Sequence, residues 1–198
     1  MLDGASIRAV IVGGGEVAAR KARGLLDAGA SVLVVAPVTT STLEALADEH
    51  AGALTLIHDA YRAEYLREAT LVIAATDDAD VNVAVARDAR ECRLLVNVVD
   101  APELGDFVTP AVHRAGEITI AVTAGGVPAA AARIRDVIAA RVDARYAAAV
   151  DTVSELRRAL LDDGARDRWL TLSSTMLGAS FCDDVESGAF AARVDACR

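Results

Sequence analysis

The sequence predicts an α/β protein in which a parallel sheet covered by helices on both faces precedes a small α/β segment and an all-helical tail. Three observations carry this. Short continuous apolar runs alternate with helical-period segments through the first half, the pattern of strands buried on both faces. A run of three glycines stands where the first apolar run gives way to the first helical segment. In the last fifty or so residues, leucines and a tryptophan recur at helical spacing between single glycines. The expected divisions are residues 1–110, 111–148 and 149–198.

Taken in order, Ile7 to Val12 is the first strand, and Gly13-Gly14-Gly15 turns it into a helix with Val17, Ala18, Ala22, Leu25 and Leu26 on its apolar face. Ala28-Gly29-Ala30 ends that helix. Ser31 to Ala36 is the second strand, Ser41 to Glu49 a helix with Leu43 and Leu46 inward, and Leu54 to Ile57 a short third strand. Tyr61, Tyr65 and Leu66 suggest a helical turn. Leu71 to Ala75, Val81 to Ala89 and Leu94 to Val99 then read as strand, helix and strand, in a β-α-β order throughout. Past Asp100-Ala101-Pro102 the character changes, with a boundary near Pro110: Glu117 to Thr123 alternates as a strand, Gly125-Gly126 breaks it, and Ala129 to Arg145 is one helical run. Leu156, Leu160, Leu161, Trp169, Leu170, Leu172, Met176 and Leu177 mark the tail helices, punctuated by Gly164, Gly178 and Gly188.

A chain of 198 residues, 54% hydrophobic and 25% charged, is long enough to bury a core without disulfide or metal staples. Cys92, Cys182 and Cys197 are odd in number and widely spaced, which fits a reducing compartment, and we expect a cytoplasmic protein. The start, Met1-Leu2-Asp3-Gly4, lacks the basic stretch and apolar core of a leader, and no apolar run reaches the length of a membrane span. A net charge of −9 argues against nucleic acid or an anionic membrane as partner.

Gly13-Gly14-Gly15-Glu16-Val17-Ala18 reads GxGxxA directly after a strand and at the start of a helix, the context of a dinucleotide-binding, Rossmann-like turn. Gly13 allows the tight turn, Gly15 lets the backbone approach a pyrophosphate, and Ala18 lets the helix pack on the strand. The second strand ends in Ala36-Pro37-Val38, without the acidic residue that often holds the adenosine ribose. Backbone groups or Thr39 and Thr40 could do that work, so NAD is the favoured cofactor and NADP stays open. Arg20 and Lys21, the latter the only lysine, are weak evidence for a 2′-phosphate site.

Thr76-Asp77-Asp78 follows the fourth strand at the edge of the sheet where such folds bind ligands. Capping of the next helix by Asp77, Asp78 or Asp80 is the competing reading. Asn97-Val98-Val99-Asp100 ends the fifth strand on the same edge. Alone, Asp100 reads as a turn residue; beside a dinucleotide site it is the best candidate for proton transfer, because an oxidation that removes a hydride also releases a proton. His50, His58 and His113 have no metal-ligand spacing, and no metal site is expected. His113 with Arg114 is a reserve candidate, a surface turn being the favoured reading. Neither a Ser-His-Asp constellation nor a P-loop lysine is present.

Together, Val12-Gly13-Gly14-Gly15-x-Val17-Ala18-x-Arg20-Lys21, Ala75-Thr76-Asp77-Asp78 with Val81-Asn82, Asn97-Val98-Val99-Asp100 and Thr123-Ala124-Gly125-Gly126 resemble the precorrin-2 dehydrogenase family, which includes the dehydrogenase/ferrochelatase portion of siroheme synthases. The resemblance implies NAD-dependent oxidation of precorrin-2, a tetrapyrrole, to sirohydrochlorin in a homodimer built through the middle segment. It places Gly13, Gly15, Glu16 and Val17 on the cofactor with Thr76 and Asp77 approaching it. Asp100 becomes the key acidic residue, implicated in the family in both dehydrogenation and iron insertion. Whether Fe²⁺ is a substrate here is left open.

The family usually has hydroxyl residues where this chain has Ala124 and Val127, so functions tied to those hydroxyls are not implied. The chain is expected to stand without the methyltransferase domain of the fused synthases. A polycarboxylate substrate needs local cations, and Arg114, Arg133, Arg135 and Arg141 follow the cleft motifs, with His113 and Thr123 as further substrate candidates. Surface ion pairs with residues such as Asp136 and Asp143 are the bland alternative for each arginine. The competing functional class is a dinucleotide- or tetrapyrrole-binding regulator without turnover.

Overall fold

The structure, a computed structural model, describes residues 3–196; Met1 and Leu2 of the expected leader-free start, and Cys197 and Arg198, lie outside the described residues. The chain divides into two compact units at Thr109/Pro110. In the first, strands β1 (Arg8–Val12), β2 (Ser31–Val35), β3 (Leu54–Ile57), β4 (Leu71–Ala74) and β5 (Leu95–Val98) form one parallel sheet in the order β3-β2-β1-β4-β5.

Alternate residues of each strand enter opposite cores, which is why the strands read as unbroken apolar runs. Ala9 and Ile11 of β1, Val32 and Val34 of β2 and Ile73 of β4 pack under helices α1 (Glu16–Leu26) and α2 (Ser41–Glu49) through Ala18, Ala22, Leu43 and Leu46. Val10, Val12, Val35, Val72 and Val96 face helix α3 (Ala79–Glu91) through Val85, Ala86 and Ala89. Alanines on the inner faces of α1 and α3 allow close approach to the sheet. α1 ends where expected, with Gly29 at φ +85° and Ala30 N–H on the Leu25 carbonyl at 3.0 Å.

One connection departs from β-α-β order. Between β3 and β4 the chain makes only a 3₁₀ turn, Ala63–Leu66, the expected helical turn. Leu66 is buried under α3, and the Tyr61 hydroxyl donates to Asp88 of α3 at 3.1 Å. After β5, the Asp106 N–H donates to the Val96 carbonyl (2.7 Å) and the Asp106 carboxylate accepts from the Val96 N–H (3.0 Å), covering the outer edge of β5. Buried Asn97 donates to the Phe107 carbonyl at 2.8 Å, and Phe107 packs on the α1-side core.

The second unit opens with an antiparallel hairpin, β6 (Ala111–Ala115) and β7 (Ile118–Val122), turning at Gly116 with φ +55°. β6 was not anticipated: Ala-Val-His-Arg-Ala carries no clean alternation, and its strand character comes from pairing with β7. The single helical run expected over 129–145 is two helices, α4 (Pro128–Arg141) and α5 (Ala144–Asp162). Asp143 causes the break, its carboxylate accepting the Arg145 N–H at 2.9 Å as an N-cap. The division expected at 148/149 falls inside α5. Helices α6 (Arg166–Met176), α7 (Phe181–Ser187) and α8 (Phe190–Asp195) close on α5 around Leu156, Leu160, Met176, Val185 and Val194, with Phe181 edge-on to Tyr146 and Phe190. Cys92 and Cys182 are free thiols.

A polar contact joins α4, α5 and α7: Glu186 accepts from the Tyr146 hydroxyl at 2.7 Å and from Arg141 at 2.6 Å. These bonds, Arg141 first, hold the Glu186 carboxyl below its ordinary value of 4.5. The unfolded chain therefore binds the proton more readily, and this contribution to stability is present above about pH 4.5 and disappears as the pH falls through the lower folded value. Thermal midpoints should fall more steeply on acidification in the native protein than in Glu186→Gln. Parallel curves would show that the contact does not stabilise the unit.

Candidate active site

Strand β1 ends at a turn whose glycines serve different needs. Gly13 has φ +129°, and a Cβ there would stand 2.3 Å from the Ala75 carbonyl oxygen at the end of β4. At Gly14 a Cβ would meet the Val38 carbonyl oxygen at 1.9 Å. Gly15 has an ordinary φ of −86°, and a Cβ on it would touch no protein atom within 4 Å. The first two glycines are thus demanded by neighbouring backbone, whereas the third opens on free space at the N-terminus of α1, where no side chain caps the helix. Need for Gly14 is invisible in the GxGxxA pattern, which leaves that position unspecified.

That space is a cleft of about 770 Å³ along the carboxyl ends of β1, β2, β4 and β5. It brings together Gly13, Gly15, Glu16, Val17, Thr76, Asp77 and Asp100, every residue the sequence offered for cofactor or catalysis. Pro37 and Val38 from the end of β2 add an apolar wall, with Val38 79% exposed. Tyr61, read from sequence only as part of a helical turn, also lines it; nothing in its local pattern marks it for a cleft.

Among the described residues no lysine or arginine lines the cleft. Its fixed positive potential comes from the first amides of α1, so an anion there must be met by backbone N–H groups. Lys21 is occupied elsewhere, donating to Thr109, and burial pushes its ammonium below the ordinary lysine value. The carboxylates differ in freedom. Glu16 accepts from the Thr42 hydroxyl at 2.8 Å. Asp78 caps α3, accepting from Asp80 N–H at 2.9 Å and Val81 N–H at 3.2 Å, which settles which of the three aspartates holds the helix. Thr76 is bound into the same loop: its hydroxyl lies 2.9 Å from the Asp78 carbonyl and 2.8 Å from Asn82 Oδ1, and the Asn82 amide donates back to the Thr76 carbonyl at 3.0 Å. Asp77 and Asp100 are exposed and have no hydrogen bond or ion pair among the described residues.

The substrate candidates belong to the second unit. His113 lies on β6 rather than in a surface turn, with Nε2 2.6 Å from the Val142 carbonyl at the α4–α5 break. Arg114 is exposed on β6 opposite Thr119, Thr123 is exposed beyond β7, and Arg133 is exposed on α4. Neither Arg114 nor Arg133 has an ion-pair partner among the described residues, whereas Arg135 pairs with Asp136 and Arg141 with Glu186. Among the described residues no cluster of three or more His, Cys, Asp or Glu could hold a metal ion, and no helix is long and apolar enough to cross a membrane.

A parallel sheet centred on β1, a glycine turn into α1 and a cleft at the carboxyl edge define the class of dinucleotide-binding α/β domains. Residues 1–111 match the family model described as "Putative NAD(P)-binding", and the chain belongs to that family. It is 40% identical over 186 residues to a siroheme synthase of Chromobacterium violaceum, covering 91% of this chain and 38% of that protein. To a siroheme synthase of Methylobacillus flagellatus it is 41% identical over 153 residues, 76% of this chain and 32% of the relative. The chain thus spans about a third of the length of the curated relatives it matches. Its fold is that of the solved structure of SirC, precorrin-2 dehydrogenase, with a TM-score of 0.75 and 24% identity over 98% of this chain and 97% of that one.

The glycine contrast is testable. Gly15→Ala should keep the thermal midpoint within about 2 °C, because the methyl meets no protein atom, yet weaken NAD⁺ binding at least tenfold. Gly13→Ala, which meets backbone at φ +129°, should lower stability by about 2 kcal/mol or more in urea unfolding. Equal behaviour of the two variants would refute this division of roles.

Proposed function

We propose that this chain oxidises precorrin-2 to sirohydrochlorin, using NAD⁺ held at the glycine turn. The observation that carries this reading is the single cleft that joins that turn to an unpaired carboxylate, Asp100, at the end of β5. The siroheme synthase relatives and the precorrin-2 dehydrogenase fold support the substrate class. Gly13, Gly15 and the amides of Glu16 and Val17 hold the pyrophosphate, and Asp77 with the Thr76 backbone borders the cofactor at the end of β4. Nicotinamide supplies the hydride acceptor when bound. Asp100 takes the proton that leaves the substrate, so that hydride and proton together account for the two-electron oxidation. Arg114 and Arg133, without ion-pair partners among the described residues, and Thr123, all of the second unit, are the proposed partners of substrate carboxylates.

NAD is favoured over NADP on electrostatic grounds. Among the described residues the cleft is lined by Glu16, Asp77, Asp78 and Asp100 and by no lysine or arginine, so a 2′-phosphate would enter a negative field without a counter-charge. Ferrous iron belongs to this proposal as substrate of a second step, insertion into sirohydrochlorin, with Asp100 receiving pyrrole protons. We also place the chain in the cytoplasm as a homodimer. Helix α4 supports the dimer: only Ala131 on it is buried, and Ile134 and Val137 stand 46% and 62% exposed with Val127 just before it.

Anaerobic absorbance with fresh precorrin-2 should show sirohydrochlorin forming with NAD⁺ and much more slowly with NADP⁺, and added Fe²⁺ then reads the second step. Asp100→Asn should lower kcat about 100-fold or more with NAD⁺ affinity unchanged. Undiminished turnover in that variant would remove Asp100 from the chemistry, and nucleotide binding without turnover in the native protein would favour a regulator. Ile134→Asp combined with Val137→Asp should turn a dimer into a monomer in analytical ultracentrifugation. A native monomer at micromolar concentration would overturn the dimer.

A further inference from the structure

The end of β2 poses a chemical question, because the position that would hold the adenosine ribose carries no carboxylate. Pro37 and Val38 offer only apolar surface and backbone there. Two threonines follow, and their hydroxyls stand in different states. Thr39 Oγ1 donates to Glu44 at 3.1 Å, a bond from the residue before the α2 N-cap to the first turn of that helix. Thr40 Oγ1 is shielded from solvent and has no hydrogen-bond partner among the described residues. Thr40 is the N-cap of α2, the position where a threonine hydroxyl ordinarily accepts a helix amide, yet it makes no cap bond. A buried hydroxyl without a partner is costly and rare enough to call for a cause.

The surroundings supply one. The Thr40 N–H donates to the Gly14 carbonyl at 3.0 Å, so this residue is bound directly to the glycine turn. Thr40 is half-buried on the cleft wall, next to Val38 and Thr39. To meet a ligand in the cleft the hydroxyl has to leave its sheltered position by rotation about the Cα–Cβ bond, among the staggered positions open to a threonine. A threonine hydroxyl can both donate and accept, and so can pair with a sugar hydroxyl without adding charge.

We propose that Thr40 is a cofactor-binding residue whose hydroxyl pairs with the 2′-hydroxyl of the adenosine ribose, in the role a carboxylate plays elsewhere. The proposal rests on the dinucleotide reading above and adds to it a residue that the glycine motif does not contain. Thr40 acts on affinity and takes no part in proton transfer.

Binding to the full chain is measured with NADH by fluorescence and with NAD⁺ and 2′-deoxyadenosine NAD⁺ by competition. Thr40→Val, of equal shape without the hydroxyl, should weaken NAD⁺ about 5–10-fold, the effect of one neutral hydrogen bond. Thr40→Ser should stay within about twofold of the native protein. The native protein should lose a similar factor on the 2′-deoxy analogue, and Thr40→Val should lose nothing further on it. Without nucleotide, the thermal midpoint of Thr40→Val should be no lower than native. An unchanged NAD⁺ affinity in Thr40→Val, or a loss that persists in full on the 2′-deoxy analogue, would overturn the assignment. Should Thr40→Val fold poorly, the native protein binding the 2′-deoxy analogue as tightly as NAD⁺ would overturn it equally. A native protein that binds neither NAD⁺ nor NADP⁺ would fail the dinucleotide reading itself and take this proposal with it.

Discussion

The backbone of Gly13 lies so close to the end of β4 that no side chain fits between them, and the cleft depends on that contact. With φ at +129°, the chain leaves β1 sharply enough for α1 to begin at the carboxyl edge and return along the sheet. Gly14 repeats the constraint toward the end of β2, where its carbonyl also anchors the start of α2 through Thr40. The ends of β1, β2 and β4 therefore meet at one point. Because β1 is central and its neighbours are reached in opposite directions along the chain, that point is the switch of the sheet, where an open α/β fold leaves a crevice.

Charge sets the second constraint. In a chain of net charge −9, a cleft lined by no lysine or arginine among the described residues can meet an anion only through oriented backbone groups. The first amides of α1 open on this cleft, apolar Pro37 and Val38 line it beyond the end of β2, and Thr39 and Thr40 add neutral hydroxyl residues to its wall. Arg114 and Arg133, exposed and without ion-pair partners among the described residues, belong to the second unit, on a hairpin strand and on α4.

Much of this was legible in the sequence because its signals are local. Strands β1, β2 and β4 announced themselves as continuous apolar runs, the glycine triplet fixed the strand-to-helix turn, and Asp77 and Asp100 followed from their places after strands. What escaped was set by tertiary pairing. β6 has no alternation of its own and exists because β7 lies beside it; the α4–α5 break depends on one aspartate cap inside an alanine-rich run that favours helix on both sides. The choice of Asp78 over Asp77 as the α3 cap, and of Thr40 over Thr39 as the orphan hydroxyl, hangs on side-chain geometry that three consecutive polar residues do not encode.

The segment around Asp106 gives the sheet an asymmetry. By meeting both the N–H and the carbonyl of Val96, one residue satisfies groups that a sixth strand would otherwise recruit, on the flank where β5 would be open. The opposite flank ends in β3, only four residues long, too short to template a stable foreign strand. A sheet so finished resists growing by strand addition between chains, including the self-templated pairing that leads to fibrils.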